Sequence, residues 1–264
     1  SGFGTAGPVR AAEHDYAATI DRLLPAMGAV EIPARKAAQL ELEKLCHAAA
    51  APGKESDRQA LAAAMIARMG PETATPARVW MLRRIETIGR DEGVTALSAF
   101  MKEQDPEIHD PARRALTNNP SSEAAAALRA ALAGAKNPGS QVALINALAW
   151  RGDAESVQPL AKLATAQDAS VAHAAVSALG SIADAAAVKA LSELRQSADG
   201  GVRAAAIDAS LRAAESLQRA GKSSAVVAIY EELLTGSQPE TVRIAAISGL
   251  ATANGVKAVP MLVS

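Results

Sequence analysis

Four histidines and a single cysteine are the side chains of this 264-residue chain best suited to hold a metal or move a proton. His14 and His109 each precede an aspartate, as His14-Asp15 and His109-Asp110. A metal-dependent phosphohydrolase site built on such a dipeptide needs further His and Asp ligands from neighbouring helices, and the sequence supplies none, so both pairs read as solvated polar residues. His47 directly follows Cys46. Adjacent residues of a helix point about 100° apart, which argues against a shared metal. His173 falls at a helical position that Ala204 and Ile244 fill further along, so we expect a partly buried packing residue there. Gly-rich phosphate loops, nucleophile elbows and zinc-binding helix motifs are absent. No metal and no cofactor is therefore expected.

Two other features carry potential for recognition. Arg78, Arg83, Arg84 and Arg90, with Arg113 and Arg114, form the densest basic stretch. They could make a local anion site, but Glu86, Asp91 and Glu92 balance them, and we read a solvated face. Trp150 sits beside Arg151-Gly152 in what looks like an inter-helix turn. An exposed ring there would be an interaction anchor; filling a gap between helices is the simpler expectation. Trp80 is the only other tryptophan.

The elements that position these residues are helices. Hydrophobic residues make up 49% of the chain but aromatics only 2%, a composition of Ala, Leu, Val and Ile that suits close helix packing. Runs of β-branched residues with period two are missing. The stretch from Asp168 to Asp199 is the template. A first helix, about Ala169 to Ile182, places Val171, Ala172, Ala175, Val176 and Leu179 on one face, and a second, about 185–198, buries Val188, Leu191 and Leu194. Ile145 and Leu148 precede Val176 and Leu179 by 31 residues, and Val157, Leu160 and Leu163 precede the second set by the same interval. Asp105, Asn137, Asp168 and Asp199 recur as helix N-caps, two of them followed by Pro106 and Pro138 at the first helical position. Val202-Arg203-Ala204-Ala205-Ala206-Ile207 returns as Val242-Arg243-Ile244-Ala245-Ala246-Ile247 after 40 residues, so that unit is longer, with the added length near Glu215 to Lys222.

These marks place a leader at 1–8, which we expect to be disordered, and a capping helix within 9–30, with Tyr16, Ile20, Leu23, Leu24 and Met27 on its apolar face. A repeat array follows over 31–264, in units of 31–74, 75–104, 105–136, 137–167, 168–198, 199–238 and 239–264. Leu42, Leu45, Leu61, Met65 and Ile66 are the expected core of the first unit.

A period in the thirties with two helices per unit is the pattern of an α-solenoid. Asp199-Gly200-Gly201-Val202-Arg203-Ala204-Ala205-Ala206 and Pro239-Glu240-Thr241-Val242-Arg243-Ile244-Ala245-Ala246 resemble HEAT repeats of the short bacterial type. The resemblance implies an all-α, right-handed armadillo-like solenoid of stacked antiparallel helix pairs, with the second helices lining a concave face and a usual role in protein binding. On a second helix the positions opposite the core are Lys189, Glu193 and Gln196. Their equivalents are Gln158, Lys162 and Thr165; Thr95, Ala99 and Lys102; Ala126, Ala130 and Ala133; Ala228, Glu232 and Thr235; and Lys257 and Met261. This surface carries no histidine, aromatic or carboxylate pair for acid-base chemistry or base stacking. Gln158, Lys162, Lys189, Glu193, Gln196 and Glu232 are the candidate partner-binding residues. Among enzymes of HEAT-like fold, deoxyhypusine hydroxylases use His-Glu dipeptides, which this chain lacks, and HEAT-like DNA glycosylases need a basic concave face. Bilin lyases of similar fold are not separated by motif, and no feature argues for them.

A net charge of -1 gives no global attraction to nucleic acid or anionic lipid. No apolar run approaches the roughly 20 residues that span a bilayer. The chain lacks an initiator Met, which suggests processing or excision and leaves cytoplasm and periplasm both open. The expectation is a non-catalytic scaffold that binds a protein partner, with neither nucleic acid nor membrane insertion. The alternative is an accessory helical domain of a larger bacterial enzyme, exported or not, whose catalytic domain lies outside this chain, since Val259, Met261 and Leu262 do not form the polar cap of a terminal repeat.

Overall fold

The computed structural model describes residues 14–197, 200–235 and 238–254. The leader, residues 9–13 of the expected capping helix, Asp199, Lys257 and Met261 lie outside the described residues. Within them every regular element is helical. The chain divides into two compact units, residues 1–124 and 125–264.

The first unit opens with α1 (Tyr16–Met27), whose N-terminus is held by Asp15 accepting from the Ala18 amide at 2.9 Å. Ile20, Leu23 and Met27 are buried, while Tyr16 and Leu24 are only half-buried. This helix packs on α2 (Ile32–Ala49) and α3 (Glu55–Ile66), so it covers the first helix pair. Arg22 bonds Glu41 on α2, and Arg68 reaches Asp21 at 2.5 and 2.8 Å. In the pair itself Leu42, Leu61 and Met65 are fully buried, with Leu45 and Ile66 at the margin. Then come α4 (Thr75–Ile88), a 3-10 turn at Asp91–Gly93, α5 (Val94–Phe100) and α6 (Pro106–Asn118). Asp105 caps α6 through the Glu107 amide at 2.9 Å, with Pro106 at the first position, where its missing N–H costs nothing.

Part of the basic stretch of this unit departs from a solvated face, while Arg83 and Arg114 are exposed as expected. Arg78 is 5% exposed; its Nε donates to the Met69 carbonyl at 2.9 Å, its Nη1 donates to Glu103 at 3.0 Å, and it stacks 5.4 Å from the Phe100 ring. Arg84 pairs with Glu43 and lies over Trp80, and Arg114 pairs with Glu86. Glu92 instead serves Arg58, buried at 8% and also bound to the Ile88 carbonyl at 2.7 Å. These arginines lock neighbouring helices together rather than presenting an anion site.

The unit division falls within α7 (Ser122–Gly134). The second unit continues with α8 (Pro138–Arg151), a 3-10 turn at Ala154–Ser156, α9 (Val157–Leu163), α10 (Ala169–Ile182), α11 (Ala185–Ser197), α12 (Gly200–Arg219), α13 (Ser223–Leu234) and α14 (Glu240–Asn254). The first helices α8, α10 and α12 stack on one another, and α9, α11 and α13 pack against them. Asn137 caps α8 through Ser140, and Asp168 caps α10 through Ser170 and Val171 at 2.9 and 3.1 Å. The α10 core positions are all buried, as are Leu191 and Leu194; Val188 is half-buried. The added length of the longer repeat extends its first helix, since α12 runs for 20 residues.

Two side chains differ from expectation. Trp150 lies within the last turn of α8, which Gly152 closes at φ 64°, and its ring is 78% exposed, so it fills no gap. His173 is exposed, as are Ala204 and Ile244 at the same place in the later repeats, so this position faces outward.

Candidate interaction face of the second unit

Each helix of the row α9, α11, α13 buries one side and exposes the other. Val157 and Leu160 of α9, Ala187, Ala190, Leu191 and Leu194 of α11, and Val226, Ile229, Tyr230 and Leu233 of α13 are turned into the core. On the opposite side Gln158, Lys162, Lys189, Glu193, Gln196 and Glu232 are all exposed. The helical period puts each set on its own side, three or four residues apart.

The row is fixed from beneath. Asp153 precedes α9, accepting from Ser156 Oγ and from Arg129 at 2.6 Å, and Arg129 also pairs with Glu155 at 2.8 Å. Asp184 caps α11 through the Ala187 amide at 2.7 Å. Between α11 and α13 stands Arg195, whose side chain is 7% exposed. It donates to Ser210 Oγ of α12 and to Glu232 of α13, and Ser192 Oγ donates to the same carboxylate at 2.8 Å. Burial pushes the Arg195 guanidinium down from its ordinary value, and the Glu232 carboxylate opposes that shift. Glu232 therefore belongs to a structural network as well as to the exposed face.

Sequence reasoning missed this network, although it left a trace. The core series Leu148, Leu179, Leu250 is broken at its third place by Ser210, and Arg195 replaces the buried Ala164 of the preceding repeat. A polar residue and a long cation enter the core together, each satisfying the other.

The remaining five candidates have light internal ties. Lys189 and Glu193 stand 3.9 Å apart, an exposed pair one helical turn apart that contributes little. Gln196 Nε2 touches Ser192 Oγ at 3.5 Å. Gln158 and Lys162 project from α9 into solvent. Elsewhere in this unit, a cavity of about 230 Å³ opens between the N-terminal ends of α10 and α12, walled mainly by Ala, Gly and Val with Gln167 and His173 beside them. Among the described residues no group of three or more His, Cys, Asp or Glu side chains is placed to hold a metal ion. Among them, too, no helix is long and apolar enough to cross a membrane. Cys46 is buried, and desolvation pushes its thiol up to about 11.

A family model described as HEAT repeats matches residues 126–210, which run from α7 into α12. The similarity to HEAT repeats thus covers the stretch from α7 to the first half of α12. No curated protein matches the chain by sequence. Among solved structures, the chain is similar to one from the complex of CpcE and CpcF of phycocyanin lyase from Nostoc sp. PCC7120, at 18% identity and TM-score 0.43, covering 97% of this chain and 98% of that one. It is also similar to human deoxyhypusine hydroxylase, at 15% identity and TM-score 0.37 over 90% of this chain and 97% of that chain. An engineered protein aligns at 21% identity and TM-score 0.26 over 89% and 96% of the two chains.

Proposed function

We propose that the protein is a non-catalytic interaction scaffold, and that the exposed face of α9, α11 and α13 is where it holds a protein partner. The observation that carries this reading is the contrast between the two sides of that row. Its inner side is packed into the core, while Gln158, Lys162, Lys189, Glu193 and Gln196 project outward with almost no internal work to do. Amide, ammonium and carboxylate groups alternate along the face, which suits hydrogen bonding to a polar protein surface and offers no nucleophile or acid-base pair. Its mixed charge does not favour the uniformly anionic backbone of a nucleic acid.

The test is a three-residue variant, Lys162→Ala, Lys189→Ala and Glu193→Ala together, compared with the wild type in affinity capture from the source organism. The reading expects a specific protein retained by the wild type and lost by the variant at unchanged thermal stability. Equal retention by both would refute the site.

A further inference from the structure

Four of the helices carry a long donor as their fourth residue and turn it back onto a carbonyl of the chain just before the helix. Arg35 of α2 donates to the Ala29 carbonyl at 3.2 Å and Arg78 of α4 to that of Met69 at 2.9 Å. Gln141 of α8 donates to Ala135 at 3.0 Å and Arg203 of α12 to Gln196 at 3.5 Å. In α10 the fourth residue is Ala172, which has no donor to offer. The Ala166 carbonyl, counterpart of Ala135 in the preceding repeat, therefore lacks the bond that Gln141 makes there. The cavity of about 230 Å³ between α10 and α12 opens at this spot, with both Ala166 and Ala172 in its wall. Ala172, Val176 and Ala205 are the buried part of that wall, and Gln167, His173 and Gly201 the exposed part.

We propose that this cavity is a binding site for a small molecule that joins a compact apolar body to a primary amide, the amide N–H donating to the Ala166 carbonyl as Gln141 donates to Ala135. The head group follows from the counterpart repeat, where the chain itself puts an amide in this place. A guanidinium fits less well, because the wall residues include no carboxylate, whereas the buried Arg78 has Glu103 to balance it. Gln167 and His173 at the mouth carry N–H groups that suit the amide oxygen. The body follows from the alanine and valine walls and from the volume, since an apolar cavity of about 150 Å³ is already enough to hold benzene. The cavity shares no residue with the face of α9, α11 and α13, so the ligand site and the partner face stand or fall separately.

Titration of the full chain with benzamide, followed through the methyl NMR signals of Val176, Val202 and Ala205, tests this. Saturable shifts centred on those methyls are expected. Acetophenone keeps the ring and the carbonyl but has a methyl in place of the NH2 group, and it should bind about three- to tenfold more weakly, the worth of one neutral hydrogen bond. Ala172→Gln sets the chain's own amide where α8 has one, and should abolish the benzamide shift of Val202 without lowering the melting temperature. If that variant fails to fold, the comparison of benzamide with acetophenone on the wild type decides. No saturable shift with benzamide, equal binding of acetophenone, or undiminished binding by a folded Ala172→Gln protein would overturn the proposal.

Discussion

Glu232 is exposed like the other residues of the proposed face, yet it carries a structural duty, and the two roles separate cleanly in a stability measurement. Replacing it by Ala leaves the Arg195 guanidinium, 7% exposed, with Ser210 as its remaining side-chain partner. Breaking a fully buried ion pair from one side costs about 3–5 kcal/mol, while an exposed pair is worth about 0–1. The Glu232 side chain is 51% exposed, so water screens the pair and partly resolvates Arg195 when the carboxylate is lost. An intermediate cost of about 1–2 kcal/mol follows. Urea unfolding followed by circular dichroism reads it directly. The Lys162, Lys189 and Glu193 variant, which breaks only an exposed pair, should stay within about 0.5 kcal/mol of the wild type. Replacing Arg195 by Ala together with Ser210→Leu rebuilds the Ala164 and Leu179 arrangement of the preceding repeat, and should recover most of what Arg195→Ala alone loses. A Glu232→Ala protein as stable as the wild type, or a double variant worse than its parents, would refute the reasoning.

Three further outcomes follow from the fold. Leu191→Ala, at a fully buried position, should cost roughly 2–5 kcal/mol in the same assay; a change within error would mean that the repeat phase is wrong. Gly180→Val sets a side chain against the α12 backbone at Ala209, and overpacking of about 1–3 kcal/mol should outweigh the gain in the unfolded state from losing a glycine, with a stabilised variant counting against the close α10–α12 approach. The hydrogen bond from Arg68 holds the Asp21 carboxyl below its usual range, and that from Arg22 does the same for Glu41. The folded state therefore binds these protons less tightly than the unfolded chain, so the pairs support α1 above the ordinary carboxylate range and lose that support as pH falls through the depressed values. Amide exchange over α1 should accelerate in that acid window beyond the intrinsic rate, and Asp21→Asn with Glu41→Gln should remove the pH dependence.

The fold was legible because it rests on local, repeated signals. Asp105, Asn137 and Asp168 announced helix starts by cap chemistry, and the spacing of Val171, Val176 and Leu179 fixed which side is buried. What was not legible depends on pairs distant in sequence. The exposure of Trp150 follows from a helix that runs on to Gly152. Arg78 looked like a surface charge and Arg195 drew no reading at all, because a sequence does not show the carbonyl of Met69 or the hydroxyl of Ser210 waiting in the core. Of the candidate face, the exposed positions could be read from periodicity, whereas the tie of Glu232 to Arg195 could not.

The central claim is that a protein partner lies against α9, α11 and α13. Its most direct measurement is photo-cross-linking in the source cell, with a photoreactive amino acid placed singly at Gln158, Lys162 or Glu193 and, as a control, at the exposed Asp208 of α12. The account predicts one and the same protein joined to all three face positions and absent from the control. Adducts that are equal at Asp208, or no adduct at any of the three, would contradict it.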